Sequence, residues 1–249
     1  MLRLPRTMVT VHGYLASTWN NYPLAVYLRT SDSSANVAAF GYDSRAGVLA
    51  DHATALRRFV DTALNCTSRC GGPEPPLGFV THSMGGLVLA AALADVAALP
   101  PDRRSRGDTL LASAPTVMIA PPLRGSLWAA SVHELVGLTV VAGPGTELAA
   151  MARSVDLAAR YALPSSLPLL VVTGEKSWSN PILSRLADGR PHDGTILNDE
   201  SIPLARDGDN AGADLACARM HVPGAGHSLL QFRLDVMEGV TEFLAKHSG

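Results

Sequence analysis

The sequence predicts an α/β protein: a compact, mostly parallel sheet with helices on both faces and a small helical insertion. Three observations predict it. Short apolar, β-prone runs alternate with segments whose apolar residues recur at helical spacing, an order that joins parallel strands through crossover helices. Within the stretch from Leu77 to Ala92 the apolar period switches from strand to helix across one residue, Ser83. The 249 residues, 47% of them apolar, suffice for one large domain around a single core.

Taken in order, Met8-Val9-Thr10-Val11 is an apolar run that stops at His12-Gly13-Tyr14, as a central strand does where it empties into a glycine-bearing loop. A short helix is expected at 23–28 and the next strand at 36–42, followed by a turn at 43–47. From Val48, the residues Leu49, His52, Ala53, Leu56, Phe59, Val60, Ala63 and Leu64 form one helical stripe, which makes His52 a packed helix residue. Paired glycines and prolines make 66–76 a loop that delivers the chain to the strand at 77–80. A charged loop at 101–108 precedes the strand at 116–120. The segment 127–163 then breaks the rhythm, with a Gly-Pro-Gly turn at 143–145. This segment is expected either as a cap over the site or as ordinary helical packing on the sheet. Further strands are expected at 167–174 and 216–222, separated by a polar loop over 175–214. A closing helix is expected at 229–246, with Leu230, Leu234, Met237, Thr241 and Leu244 near one face.

Composition narrows the partners. Charged residues make up 17%, the formal net charge is −2, and no Lys/Arg cluster spans a face, so nucleic-acid binding lacks electrostatic support and a small neutral partner is expected. Nothing near Cys66, Cys70 or Cys217 resembles a zinc-ligand set, so no metal is expected. Cys66 and Cys70 are either a short-range disulfide or two thiols. No apolar run approaches the roughly 18 residues of a membrane span. Residues 1–7 carry no apolar stretch of signal-peptide length, so a cytoplasmic location is expected, and a secreted one if a leader has been removed. The sequence carries no signal of oligomeric state.

The chemistry centres on Ser83. A serine two residues before a glycine at a strand-to-helix junction sits on a strained turn that exposes Oγ and aims the next backbone N–H, that of Met84, at a developing oxyanion. Gly85 and Gly86 let the helix start pack tightly, while Thr81 stands where such an elbow ordinarily has its first glycine. The N–H of Tyr14, after the flexible Gly13, is expected as the second oxyanion donor. His12 is read as a structural residue of that loop rather than as the base. Tyr14 and Trp19 either line an acyl pocket or simply cover the loop. The glycine-flanked His227, between the last strand and the last helix, is the base, and its other nitrogen needs a carboxylate. Asp188, Asp193, Asp199, Glu200, Asp207 and Asp209 are the candidates on residue order alone.

Several of these stretches together resemble the successive motifs of α/β-hydrolases of the lipase, esterase and inositol-deacylase-like group. They are His12-Gly13, Thr81-His82-Ser83-Met84-Gly85-Gly86, Pro121-Pro122-Leu123-Arg124-Gly125-Ser126, Asp193-Gly194-Thr195-Ile196 and Gly226-His227. The resemblance implies the α/β-hydrolase fold over nearly the whole chain, and its compact bacterial lipases lack the antiparallel amino-terminal strands that are missing here. It implies Asp193 as the acid, with Asp199, just before Ile202-Pro203, as the rival. The expected activity is ester hydrolysis through an acyl-enzyme on small to medium-chain esters, lipids among them, with Ser83, Asp193 and His227 catalytic and no cofactor. Substrate contacts are expected at His12, Gly13, Trp19 and Trp128, with Val132, Leu135, Val136 and Leu138 along an acyl wall. Thioester or amide hydrolysis on the same residues, or a non-catalytic binding module on the same fold, are the alternatives.

Overall fold

The computed structural model describes residues 3–68, 76–136, 143–208 and 211–248, and the side chains among them except those of 65–68, 135 and 136. Six strands form one sheet: β1 (Thr7–Val11), β2 (Asn36–Phe40), β3 (Leu77–His82), β4 (Thr116–Ile119), β5 (Leu169–Glu175) and β6 (Ala218–Pro223). Their order is β2-β1-β3-β4-β5-β6, and every neighbouring pair is parallel. β1, β3 and β4 are buried at every position, which is why they read as continuous apolar runs rather than alternating ones.

Alternate residues feed two cores. Val9, Val11, Phe79 and Met118 pack with α2 (Leu49–Ser68), α3 (Met84–Ala98) and α4 (Arg106–Leu111). Met8, Val80, Val117 and Val172 pack on the other face with Leu24 and Leu28 of α1 (Tyr22–Ser31) and with Val236, Val240 and Leu244 of α9 (Leu234–Lys246). From β1 the chain steps outward to β2, then returns to β3 on the other side of β1. The order therefore reverses between β1 and β3, and a site is expected outside the carboxyl ends of those two strands.

Several sequence expectations need correction. α2 continues to Ser68, so 66–68 are helical, while the question of a Cys66–Cys70 pair lies outside the described residues. The charged stretch at 101–108 holds a short 3-10 turn and the start of α4, because Ser105 and Asp108 cap each other reciprocally and Arg57 clamps Asp108 with two hydrogen bonds. The expected helical insertion over 127–163 holds, among its described residues, α5 (Leu127–Val136), α6 (Pro144–Met151) and α7 (Val155–Ala159). The expected turn at 143–145 is instead the start of α6. Gly143 takes φ +58° against the backbone of Arg45, and Pro144 opens the helix. The polar loop contains α8 (Pro181–Leu186). The closing helix is broken: a 3-10 turn, His227–Phe232, ends at the extended Arg233, and α9 starts afresh at Leu234. This break shifts the helical register, so Leu234 is 60% exposed while Val236 and Val240 are buried. No helix among the described residues is long and apolar enough to cross a membrane.

Candidate active site

Ser83 lies at the junction of β3 and α3 with φ 53° and ψ −129°, a strained conformation for a residue with a side chain, and its N–H is tied to the Ile119 carbonyl at 2.8 Å. Glycines make the junction possible. A Cβ on Gly85 would stand 2.6 Å from the carbonyl oxygens of both Val11 and His12, so α3 can start against the end of β1 only without one. A Cβ on Gly86 would meet Pro121 at 2.7 Å and the Thr81 hydroxyl at 3.3 Å. The bulk of Thr81 is thus accommodated by the bare Gly86, and its hydroxyl points to the Val117 carbonyl at 3.5 Å. Gly13 lies close enough that a Cβ there would be 2.8 Å from Ser83 Cβ, which brings the β1 loop against the serine.

His227 opens the 3-10 turn after β6. Its Nδ1–H donates to Asp193 Oδ2 at 2.7 Å, and its Nε2 accepts from Ser83 Oγ at 2.8 Å. Its backbone N–H also donates to the Asp193 carbonyl at 3.0 Å. Asp193 is 2% exposed, and its Oδ1 accepts the amides of Thr195 (2.9 Å) and Ile196 (2.8 Å). Burial alone would raise its pKa. The adjacent His227 and the two amides outweigh burial and hold the carboxyl below its usual range, so it remains a carboxylate. His192 braces this loop, accepting the Gly194 N–H at 3.0 Å and meeting the Ser184 hydroxyl at 2.9 Å.

The other acid candidates lie elsewhere. Asp199 pairs with Arg190 at 3.0 Å, Asp207 accepts from Ser165, Asp188 sits exposed at φ 50°, and Asp209 lies outside the described residues. Glu200 turns both carboxylate oxygens to backbone amides.

A cavity of about 570 Å³ opens over Ser83 and His227. Tyr14, Trp128, Val132, Leu148 and Ile196 are among its lining residues. Met84, the first residue of α3, and Tyr14, next to Gly13, carry the two amides expected at the oxyanion. Three of the four expected substrate contacts, His12, Gly13 and Trp19, are not part of this lining; Gly13 instead packs its backbone against Ser83. His12 is buried, donates Nδ1–H to the Gly13 carbonyl at 2.9 Å, accepts the Tyr42 N–H at 3.3 Å and stacks on the Tyr42 ring at 4.4 Å. It braces the loop instead of facing substrate. Trp19 is 77% exposed, because the 3-10 turn Thr18–Asn21 directs its ring outward toward Tyr22. The side chains of Leu135, Val136 and Leu138 lie outside those described.

Sequence reasoning missed His82. It is buried beside Ser83, and its Nε2–H donates to the backbone carbonyl of His227 at 3.1 Å with the two rings 5.0 Å apart. Burial pushes its pKa down to about 3, so it stays neutral and places no second positive charge beside His227. Its position just before the serine was the available signal. Among the described residues no group of three His, Cys, Asp or Glu side chains is arranged to hold a metal ion.

The all-parallel sheet, the strained strand-to-helix junction and the chain order Ser83, Asp193, His227 define an α/β-hydrolase fold. Solved structures of that fold superpose along nearly the whole chain. The mature form of Bacillus licheniformis lipase BlEst2 does so with a TM-score of 0.68 at 12% identity, over 97% of this chain and 92% of that one. A soluble variant of Saccharomyces cerevisiae monoglyceride lipase follows with 0.57 at 14%, over 99% and 88%. The metagenomic carboxyl esterase MGS0156 gives 0.55 at 18%, over 98% and 71%. At such identities the likeness carries the fold. No protein-family model matches the chain, and no curated protein sequence does.

Proposed function

We propose that this chain is a serine hydrolase that cleaves carboxylic esters of small to medium acyl chains through an acyl-enzyme. Ser83 Oγ attacks the ester carbonyl as His227 Nε2 takes its proton, and Asp193 fixes the tautomer and stabilises the imidazolium. The amides of Met84 and Tyr14 bind the oxyanion. His227 then protonates the departing alcohol, and a water molecule repeats the sequence to release the acid. The steps balance with protein groups and water alone. The acyl chain lies along Trp128, Val132 and Leu148, where each buried methylene favours binding by up to about 0.8 kcal/mol. Helices α5 and α6, which supply that wall, serve as the cap. His82 is a positioning residue, acting through the His227 carbonyl.

One observation carries this reading: the continuous hydrogen-bond chain from Ser83 through His227 to the buried Asp193 at an apolar cavity. Two of the similar structures are a lipase and a carboxyl esterase, which agrees with ester chemistry. The experiment is Ser83→Ala assayed on nitrophenyl octanoate. Loss of several orders of magnitude is expected, and retained turnover rejects the assignment.

A further inference from the structure

The cavity is mostly apolar, yet it holds one carboxamide whose oxygen nothing in the protein uses. Gln231 is 2% exposed, lines the cavity together with Ser83 and His227, and its Oε1 is buried with no hydrogen-bond partner. Leaving a buried amide oxygen unpaired is unfavourable, and native structures rarely keep one without a use for it. The terminal torsion of a glutamine is broad and roughly two-fold, so turning the carboxamide over about it brings the oxygen round to a ligand in the cavity.

The position of Gln231 fixes which part of the substrate it meets. The 3-10 turn His227–Phe232 begins with the base itself and contributes Ser228, Leu229, Gln231 and Phe232 to the cavity wall. His227 Nε2 must reach the departing oxygen to protonate it, so this turn flanks the alcohol portion of an ester. The acyl wall comes from different elements, through Trp128 and Val132 of α5 and Leu148 of α6. An oxygen acceptor beside the leaving group calls for a donor on the alcohol, a second hydroxyl close to the ester oxygen.

Resting on the ester-hydrolase reading above, we propose that Gln231 is a specificity-determining residue that hydrogen-bonds a free hydroxyl of the alcohol portion. The preferred substrates are then partial esters of polyhydric alcohols rather than simple alkyl esters.

The test compares kcat/KM for glycerol 1-monooctanoate and propyl octanoate, below their aggregation limits, in the wild type and in Gln231→Met. The two esters share the acyl group and the three-carbon alcohol skeleton. The wild type is expected to prefer the glycerol ester. In Gln231→Met that preference, read as the ratio of the two kcat/KM values, is expected to fall about fivefold to tenfold, the range of one net hydrogen bond. An unchanged ratio, or equal loss on both esters in a folded variant, overturns the proposal. A second measurement needs no variant: wild type turning over nitrophenyl octanoate should transfer its acyl group to added glycerol more readily than to 1-propanol at equal concentration. Equal capture overturns the proposal. If the wild type hydrolyses none of these esters, the ester-hydrolase reading fails and this one with it; if it hydrolyses both alkyl and glycerol esters equally, only the role of Gln231 fails.

Discussion

Replacing Glu200 by glutamine probes a buried carboxylate that fastens two parts of the site. Its Oε1 accepts the Leu127 N–H at the start of α5 at 2.5 Å, and its Oε2 accepts the Leu197 N–H of the Asp193 loop at 2.8 Å. Its backbone carbonyl also accepts the Arg124 N–H at 3.0 Å. Glu200 is 7% exposed, and burial pushes its pKa up to about 7 against the pull of the two amides, while Asp199 and Arg190 act in opposite directions. The folded pKa therefore lies above the unfolded value of about 4.3, so between these values the folded state binds more protons and stability falls as pH rises. The full change is on the order of 4 kcal/mol, most of it between pH 5 and pH 8. Glutamine does not titrate, and its NH₂ leaves one amide donor unmet at about 1–3 kcal/mol. Glu200→Gln should thus be less stable than the wild type at pH 5, with the gap in Tm shrinking by roughly 5–10 °C at pH 8 for a chain of this size. Calorimetry of both proteins at the two pH values measures it. A gap that stays constant or widens toward pH 8 refutes the reasoning.

Gly85→Ala places a Cβ 2.6 Å from two backbone carbonyl oxygens, so α3 must move off β1. We expect a loss of about 1–3 kcal/mol in thermal or urea unfolding, with ester turnover falling even in the folded fraction, because Ser83 moves with the helix start. Asp193→Asn should lower kcat by roughly three to four orders of magnitude by favouring the wrong His227 tautomer, while Asp199→Asn, which loses only an exposed pair with Arg190, should stay within about twofold. Steady-state kinetics on nitrophenyl octanoate separates the two, and the reverse pattern contradicts the assignment of the acid.

Much of this architecture was legible because buried parallel strands leave continuous apolar runs, and the Ser83 junction leaves a change of period with two glycines. His227 was legible from its flanking glycines after the last strand. Asp193 was one of six carboxylates by order, and only the resemblance singled it out, since a loop long enough to fold back erases the information in spacing. Other features depended on tertiary contacts that no local pattern encodes. Trp19 reads like a pocket aromatic, but the direction of a 3-10 turn decides where its ring goes. The break at Arg233 is hidden, because Leu230 and Leu234 keep helical spacing across it. Glu200 looks like an ordinary polar loop residue and Gln231 like a polar position of the expected closing helix, and only the packing of α5 and of the last turn shows that they are buried.

The central claim is that Ser83 is a nucleophile activated by His227. The most direct measurement is reaction with a fluorophosphonate, followed by intact mass and peptide mapping. The account predicts one adduct per chain, on the peptide carrying Ser83, and no adduct in Ser83→Ala or after the site has been filled by a competing ester. An unlabelled wild type, or an adduct that persists in Ser83→Ala, would contradict it.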